Sequence, residues 1–154
     1  MHTQAYWQPP RGEEIVTTGF NWDNFSPDLQ QNAMYDASNG QTLHMAENAG
    51  QKAAAYCLRA KEKVDAQLRK IAELKKVSGF GEGVPLDTGK GVVDQYSTVA
   101  ANLETALTAL SKEYQGFADR FVATEMAVRA VEENNTASLK GRQISIDPHA
   151  AGMQ

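Results

Sequence analysis

At 154 residues the chain is one domain's length, and 42% apolar with 8% aromatic residues describes a folded protein whose core is rich in Ala, Val and Leu. A net charge of -4 and a pI near 5.4 leave no basic face for nucleic acid. No run of about eighteen apolar residues is present to span a bilayer, so no stable membrane insertion is expected.

Residues 1–40 form an N-terminal arm that holds both Trp residues and an aromatic cluster of Tyr6, Trp7, Phe20, Trp22 and Phe25. Disordered tails are poor in aromatics, so this arm packs on the helices or on a partner. Its start has neither the charged head nor the apolar middle of a signal peptide, and Sec-type export is not expected. Ser26-Pro27-Asp28 reads as the start of a short helix, with Ser as N-cap, Pro at the first helical position and Asp in the first turn. Asn39-Gly40 is turn-prone and breaks that piece.

Residues 41–139 read as a helical hairpin. From Gln41 to Val77 one apolar stripe (Ala53, Cys57, Ala60, Val64, Leu68, Ile71, Leu74) continues, with Lys and Arg crowding the other faces. Residues 78–91, SGFGEGVPLDTGKG, hold five glycines and Pro85 and form the turn. From Val92 to Val131 the residues Tyr96, Val99, Leu103, Ala106, Leu110, Tyr114, Phe117, Phe121, Thr124, Val128 and Val131 recur in steps of three and four that alternate except for the two fours around Leu110, the spacing of a coiled-coil seam. The first helix is basic and the second acidic, which suits antiparallel pairing. After Gly141 the segment RQISIDPHAAGMQ lacks periodicity, so 140–154 reads as a flexible tail.

No catalytic chemistry is encoded in this pattern, and an enzyme is not expected. Gly83 to Gly91 resembles a phosphate-binding loop only loosely. Five residues separate the first Gly from Gly89-Lys90, and Gly91 stands where a Ser or Thr would hold magnesium. His2, His44 and His149 are scattered and make no metal site, and His44 is about 20 Å from Cys57 along one helix axis, too far for a nucleophile and base. A single cysteine excludes an intramolecular disulfide and a thiolate cluster. No cofactor is expected. Phe80 and Leu86 at the tip either enter a partner groove or fold back over their own helices.

A two-helix hairpin hides one seam and is marginal alone. Leu58, Leu107, Val122 and Met126 lie off the central stripe and widen the apolar face, so they are the candidate partner interface. The expected fold is all-α: a long antiparallel coiled-coil-like hairpin, completed to a four-helix bundle by a second copy or another small helical protein.

Gln41 to Leu139 resembles the WxG-type helical hairpins of the type VII (ESX) secretion system. Three features carry the resemblance: Gly79-Phe80-Gly81 at the turn, the phase of Tyr96 to Phe121, and Phe121-Val122-Ala123-Thr124-Glu125 near the end of the second helix. The family's export signal is Tyr, three residues, then Asp or Glu. Here Phe121 replaces the Tyr and Glu125 supplies the acid, while the turn has Phe in place of Trp-x-Gly and the arm is longer than usual. The resemblance implies a substrate, co-secreted partner or targeting helper, cytoplasmic before export and then secreted or at the cell surface, with the secretion machinery as a further partner. A phage or cell-surface assembly protein that packs hairpins laterally is the alternative.

Overall fold

The computed structural model describes residues 17–39, 45–79, 81 and 87–150. Along them run strand β1 (Thr18–Asn21), helix α1 (Pro27–Asn39), helix α2 (Ala49–Leu74), helix α3 (Asp87–Glu132) and strand β2 (Gln143–Ile146), with short 3-10 turns at Trp22–Asn24 and Thr136–Leu139. The described chain is mostly helical, and its all-α character is clear. A two-stranded antiparallel sheet, β1 against β2, is the departure.

Helix α1 begins where Ser-Pro-Asp places it. The Leu29 backbone N–H donates to Ser26 Oγ at 3.3 Å, and the Gln30 N–H closes the first turn on the Ser26 carbonyl. Helices α2 and α3 run in opposite directions, because their cross-contacts pair Gln51 with Glu125, Asp65 with Ser111 and Lys75 with Glu104. Between them, Gly79 and Gly81 take φ of +95° and +84°, a left-handed backbone that glycine adopts without a Cβ penalty. Phe80 and residues 82–86 of the turn, Leu86 among them, lie outside the described residues, as do Tyr6, Trp7, His2 and His44, and the last five residues of the predicted turn, 87–91, are already the start of α3.

The core sits at one end of the helix pair. There Phe20, Trp22, Phe25 and Ala33 meet Ala54, Ala55 and Leu58 of α2, Ala118 to Ala130 of α3, and Leu139 and Ile146. Trp22 and Phe25 stack edge to face, with centroids 6.1 Å apart. Gln30 Nε2 donates to the Trp22 and Phe25 carbonyls and so fixes the arm against α1. Buried positions on α3 here are nearly consecutive (Val122, Ala123, Glu125, Met126, Ala127, Val128, Ala130), so this end is covered on more than one side.

The segment 140–150, read from sequence as flexible tail, is folded onto this core. Phe20 pairs with Ile144 and Thr18 with Ile146, and the Trp22 N–H continues the pairing to the Arg142 carbonyl. Ile146 and Pro148 are buried, Arg59 Nη1 donates to the Pro148 carbonyl at 2.6 Å, and His149 Nε2 lies 2.6 Å from Glu62 Oε2. The sequence signal for this strand was two residues long, Ile144 and Ile146 on alternate positions, too short to stand out as a period.

Candidate functional site

Helix α3 presents two unlike faces, and the structure reverses their expected roles. The side toward α2 is lined by small or polar residues: Ala100, Ser111, Ala118 and Val122 are buried, with Leu107 and Tyr114 half-buried between them. The predicted stripe is divided: Tyr114 is half-buried against the core and Val128 is buried, while its other large residues up to Phe121 are exposed. Val99 is 65% exposed, Phe117 43% and Phe121 39%, and Tyr96, Leu103 and Leu110 are exposed as well. Conversely Leu58, Val122 and Met126, the candidate interface, lie inside the chain's own core, and Leu107 is half-buried. Small residues let two helices approach closely, so an Ala-rich ridge made the better internal seam although it carries less apolar mass per residue.

The sequence pair Phe121 and Glu125 is divided in the same way. Phe121 is exposed, whereas Glu125 is 2% exposed and belongs to the joint between α2 and α3. Asn48, at the N-cap of α2, is left-handed (φ 59°) and gives that end no side-chain cap. Glu125 supplies one from the other helix. The Gln51 backbone N–H donates to Glu125 Oε2 at 2.8 Å, and Gln51 Nε2 reaches Oε1 at 3.5 Å. A carboxylate there satisfies a terminal amide and sits at the positive end of the helix dipole. Gly50 makes the approach feasible: a Cβ at that position would stand 2.5 Å from the Phe121 carbonyl oxygen and 2.8 Å from Glu125. Sequence reasoning missed this cap, because a cap donated across 74 residues has no local signature.

A second polar contact lies midway along the joint. Ser111 Oγ donates to Asp65 Oδ1 at 2.6 Å and Lys61 Nζ to Asp65 Oδ2 at 2.7 Å. Burial alone would raise the Asp65 carboxyl, but the hydrogen bonds from Lys61 and Ser111, with the charges of Lys61 and Arg69, outweigh it and hold the group below the usual carboxylate range. Burial pushes the Cys57 thiol up, away from the reactive thiolate.

The cavities are open and shallow in chemistry. One, of about 620 Å³, lies between α1 and α3 and is lined by Asp28, Asn32, Asp36, Asp119, Arg120 and Thr124, with no buried unpartnered polar atom among the described residues. Among those residues no three His, Cys, Asp or Glu side chains are placed to hold a metal ion. Among the described residues no helix is long and apolar enough to cross a membrane. Comparison of the chain with known protein families, with curated proteins and with solved structures finds no match.

Proposed function

We propose that this chain is a non-catalytic protein that works by helix–helix association, its helix pair being a hairpin that a helical partner completes to a four-helix bundle. The observation that supports this reading is the exposed stripe of α3. Val99, Leu103, Leu110, Phe117 and Phe121 keep coiled-coil spacing over about 33 Å of helix yet stay exposed. A stripe of this length and regularity on the outside of a chain suits a second helix lying along it.

The biological setting we propose is type VII (ESX) secretion, with the chain acting as substrate, co-secreted partner or targeting helper, held in the cytoplasm before export and then secreted or kept at the cell surface. Support for this setting is the resemblance of Gln41 to Leu139 to the WxG-type hairpins, and Gly79 and Gly81 at positive φ suit that family's turn. Within the export signal, Phe121 is the presented residue. Glu125 acts through the fold, by holding the start of α2 against α3.

Co-purification from the native host, paired with an export assay, tests the proposal. A small helical protein bound to the wild-type chain, and export lost in Phe121→Ala while the melting curve is unchanged, are the expected results. Unaltered export in that variant removes the signal role, and ordered oligomers larger than a dimer would favour a laterally packed assembly protein.

A further inference from the structure

We infer that the partner is an acidic helical protein, which lays a helix with carboxylates at helical spacing along the outer row of α2; this deepens the helix-association reading and rests on it. The α3 stripe selects no sign of charge. Between Tyr96 and Phe121 the charged residues are Glu104, Lys112, Glu113, Asp119 and Arg120. Glu104 is ion-paired with Lys75, and the other four are two adjacent pairs of opposite sign, with the Arg120 guanidinium over the Phe117 ring.

Helix α2 does select a sign. Lys52, Tyr56, Arg59, Lys63, Gln67, Lys70 and Leu74 follow one another in steps of three and four, so they form one row about 33 Å long. No acid stands in it. All but Arg59 are exposed, and the Arg59 guanidinium lies over the Tyr56 ring and donates to the Pro148 carbonyl. Lys52, Lys63 and Lys70 have no carboxylate partner among the described residues. The acids of α2 do not neutralise the row: Glu62 meets His149, Asp65 meets Lys61 and Ser111, and Glu73 lies off it. Opposite charges set along a helix face are how helical partners choose one another. The width of the row decides the class of occupant. A helix is narrow enough to meet only the cations, with Tyr56 and Leu74 as apolar contacts. A bilayer or a nucleic-acid duplex would also meet exposed Glu62 and Glu73 beside the row, on a chain of net charge -4.

The test uses the full chain and two synthetic amphipathic helices that share one Leu seam, flanked by Glu in the first and by Lys in the second. Fluorescence anisotropy should show the Glu-flanked helix binding about tenfold tighter, with a preference that falls as salt is added. The preference should vanish in Lys52→Glu/Lys63→Glu/Lys70→Glu at unchanged far-ultraviolet helicity. Equal binding of the two helices, or a preference that survives the charge reversal, overturns the inference and leaves helix association standing. Tighter binding of phosphatidylserine vesicles or of a short DNA duplex also overturns it, by giving the row to a polyanion. A chain that takes up neither helix overturns both readings, unless light scattering shows its mass doubled, in which case its own copy is the occupant and only the acidic partner falls.

Discussion

At Gly50 and Glu125 the start of α2 is held tightly against α3, and each can be tested alone. Helix propensity by itself says that Gly50→Ala should stabilise α2 by up to about 1 kcal/mol. The contact geometry says the opposite, since the new Cβ would press into a backbone carbonyl and the capping carboxylate. A loss of about 2 kcal/mol in urea denaturation is expected, and a gain would show that the joint is looser than described. Glu125→Ala should cost about 1 to 2 kcal/mol by leaving the start of α2 uncapped. Glu125→Gln should cost less, because an amide oxygen still accepts from Gln51. Export lost in Glu125→Ala but retained in Glu125→Gln would mark the residue as a structural support. At this scale little was legible in advance. Sequence spacing finds Glu125 four residues after Phe121, but only the tertiary approach of Gly50 shows that one of the two is exposed and the other is a cap.

The elements themselves were more legible than their contacts. Ser26-Pro27 starts α1 because cap chemistry is local, and the Gly-rich segment ends one long helix and precedes another for the same reason. Which face of α3 meets α2 was not local. Both the large stripe and the ridge of Ala100, Ser111 and Ala118 repeat at helical spacing, and size favours the first while closeness favours the second. A polar contact helps to decide. Ser111 and Asp65 bond across the joint, so they resist a register slip that would leave either group buried without its partner. The Asp65 carboxyl is held below its usual range, so its stabilisation is fully present above the unfolded carboxylate value and is lost as pH falls through the folded one. Asp65→Asn should therefore be less stable than wild type at about pH 7, and the difference should shrink towards zero at about pH 2. Urea midpoints at the two pH values check this, and a gap that persists in acid would contradict it.

Across the whole molecule, residues from both ends of the chain build the packed half. The sheet joins Thr18–Asn21 to Gln143–Ile146, and Phe20 and Ile146 enter the same cluster as Ala54 and Met126. The two long packed helices are here supported by elements that sequence reasoning placed outside them. Removing residues 141–154 should cost about 2 to 4 kcal/mol, chiefly through the buried Ile146, and should expose Phe20. A truncated chain as stable as the full one would show that the strand pair is ornamental. Towards the other end, α3 leaves large side chains exposed, and the proposed association depends on that exposure. Thiol accessibility tests it most directly, using Leu110→Cys and Ala118→Cys, each in a Cys57→Ala background. The cysteine at 110, midway along the stripe, should react with a thiol reagent in the folded chain, whereas the one at 118 should react only on unfolding. A cysteine at 110 that is protected in a monomeric, folded chain would put the large stripe back in the internal seam and contradict the account.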